Sequence, residues 1–417
     1  MKKAKLIICI VAVMLMVLPT TLPAQQGGNI KFGNLSIIPV VEMQGIYDDN
    51  IFRGNGEEYQ SAQTTREERK VSDWITSVKP GLLLNFSIPE RGYINLGYQG
   101  NFAFYSSNTN NNWQNNQGTL DVYYQAPGGL IMGISDIYAS VEDPYGNAAQ
   151  YGIGRVSKRW TNDLKTKIGY NIMSNFRALL YYNNSKQQYN NILDYSQDYT
   201  GNEFGIGAEK RFLSKTWGFL RYHYGQRKYN TLGPTQISDA NNADYRWSRI
   251  SAGFTWDPGA KLSGEFNIGY HWLIYDHART DTGFLREDKN TWIAETSVKF
   301  LPTETTTLQV TINRDVRHSG SDTHEHFTDT GIGFSVNQQL LWKLYLVGGI
   351  SYSKNEYNLP VGNSRTDDNY LANIGLNYQI QDWIGVAIGY NYNQKNSNIE
   401  TEKFIDNQFT TTLKIVY

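Results

Sequence analysis

The sequence TWIAETSVKF, residues 291–300, alternates between two kinds of side chain. An extended chain would place Trp292, Ala294, Val298 and Phe300 on one face, and Glu295, Ser297 and Lys299 on the other. Successive side chains of a β-strand point to opposite faces, so a period of two predicts a strand with one apolar and one polar face.

The same period recurs along almost the whole chain, and we read eighteen strands from it. Their predicted spans are 36–52, 71–87, 92–106, 113–126, 129–142, 161–172, 175–187, 199–212, 215–229, 244–257, 260–276, 289–301, 304–317, 326–339, 342–356, 367–379, 382–394 and 404–417. Short connections such as 89–91 alternate with long polar ones such as 53–70. Outer-membrane barrels show this alternation together with an even strand count. The sequence therefore predicts an all-β fold: a transmembrane antiparallel up-and-down β-barrel of about 18 strands, with short periplasmic turns and long outer loops.

The composition fits a β-barrel with a water-filled lumen. The chain has 417 residues, of which 40% are hydrophobic and 18% charged, and its mean hydropathy is -0.51. A closed sheet satisfies its backbone polar groups inside a bilayer, and a wide barrel encloses water, so its inner face can be polar. A soluble exported β protein is the alternative, and its strands would surround a dry core. The net charge of -1 argues against a nucleic-acid partner.

Residues 1–24 have the features of a secretory signal peptide. Lysines among the first five residues precede an apolar run, and Ala24 is a small residue of the kind that signal peptidase accepts. We predict cleavage near Ala24, a short polar lead-in over 25–35, and a barrel over 36–417 in the outer membrane of a Gram-negative envelope. The single cysteine, Cys9, falls in the signal peptide, so no disulfide or cysteine-based metal site is expected.

Tyrosine and tryptophan lie near many predicted strand ends, as in the aromatic girdles of membrane barrels. These residues are Trp74, Tyr98, Tyr105, Tyr124, Tyr170, Tyr224, Trp256, Trp272, Trp292, Tyr352, Tyr378, Trp383 and Tyr390. Outer-membrane lipid and lipopolysaccharide are therefore expected partners.

The last predicted strand ends the chain on an aromatic residue. Its apolar face carries Phe409, Thr411, Leu413, Ile415 and Tyr417. This face resembles the C-terminal signature of outer-membrane proteins that the barrel-assembly machinery reads. The resemblance implies that Phe409, Leu413, Ile415 and Tyr417 form an assembly signal, and that this machinery is a partner.

Two segments near the N-terminus carry a family resemblance. Residues 47–53 read YDDNIFR, and residues 72–82 read SDWITSVKPGL. This pair resembles the putative beta-barrel porin 2 family of bacterial outer-membrane proteins. The motif residues are Tyr47, Asp48, Asn50, Phe52, Asp73, Pro80 and Gly81. The resemblance implies an outer-membrane barrel often associated with export of surface or extracellular polysaccharide, with periplasmic polysaccharide-export proteins as partners.

The motif has a structural and a chemical interpretation. Asp48, Asp49 and Asn50 fit the end of a strand, where short polar side chains cap the chain as it enters a loop. Carboxylates also suit Ca²⁺, but such a site needs about six oxygen ligands and three neighbours do not supply them. We favour the structural role.

No catalytic, cofactor or metal site is predicted. His318, His324 and His326 lie in a predicted outer loop without an evident fourth ligand. The pairs Gly205/Gly207 and Gly331/Gly333 fall in alternating strands, so they are predicted as small lumen-facing positions and not as phosphate loops. His223 and His271 are predicted on lumen faces with no nucleophile placed beside them. We therefore expect no enzyme.

The predicted inner face carries both signs of charge. Its lumen-lining candidates are Lys79, Lys167, Arg177, Glu209, Arg221, Arg249, Glu265, Glu295, Lys299 and Lys414, together with Asp73 and Asp315. A strongly ion-selective pore would show a ring of one sign, whereas a mixed wall rich in Asn and Tyr suits a neutral or weakly charged hydrophilic solute such as carbohydrate.

Four functions remain open from the sequence alone. The first is a passive conduit for a hydrophilic solute, with polysaccharide export as the specific case. The second is a general porin for small solutes, and the third is a plugged barrel that acts as a surface binding or structural scaffold. The fourth, an outer-membrane hydrolase, needs a catalytic pair to meet in the lumen.

Overall fold

The computed structural model describes residues 30–56, 69–143, 156–191, 197–229, 243–256, 261–279, 285–321, 324–358 and 364–417. The predicted signal peptide lies outside the described residues. No helix in this part of the chain has the length and apolarity needed to cross a bilayer.

The described residues form strands joined by turns and two short 3₁₀ segments, Thr109–Asn111 and Glu400–Glu402. The strands are β1 (Ile30–Phe32), β2 (Leu35–Asp48), β3 (Asp73–Ile88), β4 (Gly92–Tyr105), β5 (Trp113–Gln125), β6 (Leu130–Asp143), β7 (Ser157–Met173), β8 (Phe176–Tyr189), β9 (Tyr199–Leu213), β10 (Thr216–Tyr229), β11 (Tyr245–Trp256), β12 (Leu262–Tyr275), β13 (Lys289–Phe300), β14 (Thr306–Ser321), β15 (His324–Leu341), β16 (Leu344–Tyr357), β17 (Thr366–Gln381), β18 (Ile384–Ser397) and β19 (Phe404–Val416).

Strands β2 to β19 form one closed antiparallel sheet in which each strand pairs with the next along the chain. The last strand returns to the first: the β19–β2 ladder runs from Val416 opposite Val40 to Gln408 opposite Asp48. We call this pairing the seam. The predicted fold class is confirmed, because eighteen strands close into an up-and-down barrel.

The two faces of the sheet differ as the alternation predicts. Outside, Leu180, Ile206 and Ile374 are 60%, 58% and 56% exposed. Their neighbours along each strand, such as Tyr181 and Asn373, point to the inside of the barrel because side chains alternate. An apolar face of this extent around a closed sheet suits contact with lipid.

The two ends of the barrel are unlike. The strand ends that flank long connections such as 49–72 and 230–244 lie at one end, which we call the outer end. Two-residue turns such as 214–215 and 382–383 lie at the other, the short-turn end. Both Leu35 and Val416 lie at the short-turn end, because an even number of strands brings the chain back to its starting side.

Two apolar clusters narrow the outer end from inside. The β3 cluster comprises Ile51, Ile75, Ala103 and Tyr105, and the β12 cluster comprises Tyr229, Ala243, Tyr245, Leu273, Tyr275 and Val316. Ile51 follows β2, so the start of the connection 49–72 turns inward and covers the wall formed by β3 and β4.

Strand β14 also leans inward at the outer end. Its ladder with β13 runs only from Phe300 opposite Leu308 to Ala294 opposite Arg314. Beyond that point β14 stays paired with β15 as far as Ser321, and Val316 packs into the β12 cluster, so the outer part of β14 turns inward from the wall formed by β13.

Two details differ from the sequence-based expectation. The predicted lead-in contains strand β1, which pairs with the first residues of β2, from Phe32 opposite Leu35 to Ile30 opposite Ile37. Tyr105, which we expected in a membrane girdle, is buried within the β3 cluster. Its position is one residue from the exposed Phe104, and that offset places the ring inside the barrel.

Candidate functional site

A cavity of about 590 Å³ lies inside the barrel against strands β4 to β13. We call it the charged bay. Its charged lining residues are Asp121, Lys165, Lys167, Glu203, Arg221, Arg249, Glu265 and Glu295. His223 adds an imidazole, and Tyr93, Tyr123 and Tyr181 add aromatic rings. So many charged groups around one space require water, because an ion in a dry apolar core is costly unless it is paired.

Arg221 on β10 is the centre of an ion-pair chain along the bay. Its guanidinium donates to both oxygens of Glu265, at 2.8 and 3.2 Å, and to Oε1 of Glu209 at 3.1 Å. Arg177 donates from Nε to the other oxygen of Glu209 at 2.6 Å. The chain joins strands β8 to β12 and balances two cations with two anions, so the wall stays polar without a field of one sign.

Arg249 on β11 contacts the inward-leaning strand β14, three strands further along the sheet. Its Nη2 lies 3.0 Å from Oδ1 of Asp315 on β14 and 3.1 Å from Nδ1 of His271 on β12. Strands β11 and β14 are not neighbours in the sheet, so this ion pair holds the inward lean of β14 against the charged bay.

Glu203 on β9 is held by neutral and titratable donors. Asn183 Nδ2 donates to Oε1 at 2.8 Å, Trp247 Nε1 donates to Oε2 at 2.9 Å, and His223 Nδ1 lies 3.1 Å from Oε1. These partners come from β8, β11 and β10, so Glu203 ties four strands together. The arrangement places His223 beside a carboxylate rather than beside a nucleophile.

Glycines make the room for this lining. A Cβ atom on Gly205 would come within 2.6 Å of the His223 ring, and one on Gly225 within 2.2 Å of the Trp247 ring. Both distances are too short for real contacts, so any larger residue would displace the rings that bind Glu203. Gly205 and Gly207 therefore face the lumen as spacers, which is the role predicted for them.

The opposite wall is neutral in its middle part. The inner positions of β15 to β18 include small residues such as Gly331, Gly333 and Gly349, whose neighbours across the ladders are Asn313, Thr311 and Asn373. A solute in the lumen would therefore meet charge on one side and amides and hydroxyls on the other.

Ten of the twelve sequence-predicted lumen residues, all except Asp73 and Asp315, fall into three groups. Lys167, Arg221, Arg249, Glu265 and Glu295 line the charged bay, and Arg177 and Glu209 adjoin it through the ion-pair chain. Lys79 lies near the seam with its Nζ 2.9 Å from Glu42, and Lys414 stands opposite Glu42 in the seam ladder. Lys299 lies apart, opposite Ser263 and Gln309 toward the short-turn end.

Several bay residues were not singled out from the sequence. Lys165, Asp121 and Glu203 share the alternation of the predicted residues and could have been found by it. The alternation could not predict the hydrogen bond between Glu203 and Trp247, because it joins residues 44 positions apart and depends on the space left by Gly225.

The family motif fastens the outer end of the seam. Asn50 is fully buried; its Nδ2 donates to the carbonyls of Gly54 at 2.8 Å and Ile405 at 2.9 Å, and its Oδ1 accepts from Gly54 N at 2.9 Å. Asp49 accepts from both the backbone and the side chain of Asn407, each at 2.7 Å. Residues just after β2 thus bind β19, while Tyr47 packs against Trp74 outside, with the ring centroids 5.2 Å apart and the ring planes tilted by 53°.

The same place gathers three carboxylates, those of Asp48, Asp49 and Asp406. Asp48 accepts from Asn50 N at 2.7 Å, and the Gln408 amide donates to both Asp48 and Asp406, at 3.0 and 3.2 Å. These contacts therefore help to hold β2 and β19 together at the outer end of the seam.

The remaining motif residues shape β3 and its surroundings. Asp73 caps the connection after β4, accepting from the backbone of Ser107 at 3.1 Å and of Asn108 at 2.8 Å. The β3–β4 ladder is interrupted at Pro80, which has no N–H to donate. Gly81 lets the β4 backbone approach, because a Cβ there would lie 3.3 Å from the carbonyl of Tyr98. Phe52 packs against the β3 cluster.

The outer end carries a second buried charge network beside β17. Arg365 donates from Nη2 to Glu402 at 2.8 Å and from Nε to Asp367 at 2.9 Å. Burial lowers the pKa of Arg365, but attraction to Glu402 and Asp367 outweighs burial and raises it above its ordinary value. The guanidinium therefore stays charged.

The histidine-rich segment gives one described side chain. The prediction of an outer loop is wrong for His326, which is a buried residue of β15; its Nδ1 lies 3.2 Å from the hydroxyl oxygen of Tyr275, so it connects β15 to the β12 cluster. The side chains of His318 and His324 lie outside the described residues.

A closed sheet with an apolar outside and a bay lined by charged side chains inside defines a membrane β-barrel of the porin class. The family model of the putative beta-barrel porin 2 family matches residues 135–417, so the chain belongs to this family of outer-membrane porins. The family predicted from residues 47–53 and 72–82 is confirmed, although those segments lie before the matched range. No curated protein matches the chain.

Solved outer-membrane porins resemble the chain over most of its length. OpdK from Pseudomonas aeruginosa is 11% identical with a TM-score of 0.44, over 91% of this chain and 99% of that one. OccAB4 from Acinetobacter baumannii is 11% identical with a TM-score of 0.45, over 91% and 98%. A BenF-like porin from Pseudomonas fluorescens Pf-5 is 9% identical with a TM-score of 0.46, over 91% and 99%.

Proposed function

We propose that this porin is a passive channel for small hydrophilic solutes, and that the charged bay is its selective region. The observation that carries the proposal is the bay itself: a cavity of about 590 Å³ within a closed sheet, lined by side chains of both charges. Barrels of 16 to 18 strands are wide enough for an aqueous channel.

The pairing inside the bay favours weak rather than strong ion selectivity. Arg221 and Arg249 each have a carboxylate partner, at 2.8 and 3.0 Å, so neither acts as a bare charge in the lumen. A passing solute meets hydrogen-bonding groups of both kinds, which suits neutral, zwitterionic and weakly charged molecules.

Polysaccharide export is the finer expectation from the family resemblance, and nothing found here supports it. The β3 and β12 clusters and the inward lean of β14 reduce the outer opening, which favours small solutes over a polymer chain. Accumulation of polysaccharide in the periplasm of a deletion strain would instead support polysaccharide export as the function.

Swelling of liposomes that contain the purified protein tests the proposal. We expect swelling with monosaccharides and disaccharides, and a steep fall of the rate for larger oligosaccharides. Protein that is folded and inserted, as judged by heat-modifiable migration on a gel, but gives no swelling with any sugar would overturn the channel and favour the plugged scaffold.

A further inference from the structure

Two lysines of the charged bay differ from its arginines. Lys165 and Lys167 on β7 line the bay, yet within the described ranges no carboxylate oxygen lies within ion-pair distance of either ammonium. Arg221 and Arg249 in the same bay are both paired. An ammonium has three donors, so each lysine can offer hydrogen bonds to an anionic solute.

Lys167 lies between two aromatic rings. On one side, its Nζ is 6.0 Å from the centroid of Tyr123, and the side chain crosses Gly133, where a Cβ would come within 3.3 Å of Lys167 Cε. On the other side, Tyr181 stands directly opposite Lys167 in the β7–β8 ladder. Gly133 is therefore the gap that lets the ammonium reach the face of the Tyr123 ring.

Groups that bind hydroxyls flank Lys165, two residues from Lys167 on the same face of β7. Asn183, opposite Lys165 on β8, lines the bay and donates from its Nδ2 to Glu203. Ser135, opposite Lys165 on β6, also lines the cavity. Aromatic faces supply an apolar surface with a polar rim, which matches the C–H face of a sugar ring.

We propose that Lys167, with Lys165, binds the carboxylate of an acidic sugar while Tyr123 or Tyr181 stacks on its ring. The proposal deepens the proposed function, because it names the solute class of the same bay. Asp121 and Asp163 lie on the same face of the wall, and their carboxylates would repel a second negative charge on the solute. Binding is therefore weak, as a channel requires for release.

Titration of D-glucuronate by saturation-transfer NMR, with the folded protein in detergent micelles, tests the site. We expect saturable binding that D-glucose, which lacks the carboxylate, and acetate, which lacks the ring, do not match. Lys167→Gln should raise the dissociation constant at least about tenfold, since charge-assisted hydrogen bonds are lost. Lys167→Arg should retain most of the binding.

Lys299→Gln is the matched control, because it removes a lysine from the inner face of β13 outside the bay. It should leave the dissociation constant within twofold. Equal binding by the wild type and Lys167→Gln overturns the site, and so does binding of acetate as tight as that of glucuronate. Benzoate binding more tightly than glucuronate overturns the sugar in favour of an aromatic carboxylate.

Failure of the acidic-sugar site can be distinguished from failure of the proposed channel function. Protein that binds glucuronate but gives no liposome swelling overturns the proposed function alone. Protein that swells liposomes with sugars but binds no glucuronate overturns only the acidic-sugar site.

Discussion

The side chain of Asn50 donates a 2.9 Å hydrogen bond to the backbone carbonyl of Ile405, 355 residues further along the chain. This bond crosses the seam at its outer end, where the first and last barrel strands meet. Asp49 makes the neighbouring contacts with Asn407. Closure of the sheet is therefore secured by side chains as well as by the β19–β2 ladder.

Replacing Asn50 should weaken the seam. Asn50→Ala removes two buried hydrogen bonds and one partly buried one, and it leaves the carbonyls of Gly54 and Ile405 without this donor. Buried groups left unpaired cost about 1–3 kcal/mol each, so we expect a loss of about 2–4 kcal/mol. Urea unfolding in lipid vesicles measures it. Asn190→Ala, at an exposed turn, is the control, and equal stability of the two variants would show that the motif does not hold the seam.

Arg365 should be needed for stability at the same end of the barrel. Arg365→Leu leaves Glu402 buried without its ion-pair partner and Asp367 with Lys395 alone, 3.9 Å away, and such a break costs about 3–5 kcal/mol. The temperature at which the folded band disappears from a gel should fall. Arg91→Leu, on an exposed short turn, should not change it. A transition unchanged in Arg365→Leu would mean that the network contributes nothing.

An arginine introduced on β17 should lower the yield of folded protein at one residue and not at its neighbour. Ile374→Arg puts a guanidinium on the lipid face, where it costs about 2–4 kcal/mol near the bilayer centre. Asn373→Arg puts it in the lumen, where water solvates it. Yield of folded protein in the outer-membrane fraction should fall for the first variant and not for the second. A lower yield for Asn373→Arg than for Ile374→Arg would contradict the assignment of Ile374 to the lipid face and Asn373 to the lumen.

The Arg221–Glu265 pair should set the residual ion selectivity. Glu265→Gln leaves Arg221 with Glu209 alone and should shift the reversal potential in a KCl gradient toward anions. Arg221→Gln should shift it toward cations. Each shift corresponds to a permeability change of a few-fold, since one of several lumen charges changes. Shifts of the same sign in both variants would contradict a lumen-facing pair.

The barrel could be predicted from the sequence because its signal is local. Alternation within Thr291–Phe300 and its counterparts marks which side chains face out, and the lengths of the connections mark the two ends. Tyr105 shows the limit of that reasoning, because an aromatic residue near a strand end can belong to either face.

The site depended on contacts that no local pattern contains. The inward lean of β14 brings Asp315 to Arg249, 66 residues away, and nothing in the alternation of β14 distinguishes a strand that leans inward from one that continues the wall. The bay likewise needs the gaps at Gly205 and Gly225, and the sequence shows those residues without showing which rings fill them.

Ion conductance of the purified protein in a planar bilayer tests the central claim, a hydrated passage through a closed sheet. We predict discrete current steps whose size rises in proportion to KCl concentration, and a reduced step for Gly225→Leu, in which the Trp247 ring must move into the lumen. Folded protein that inserts into the bilayer and carries no current would contradict the account.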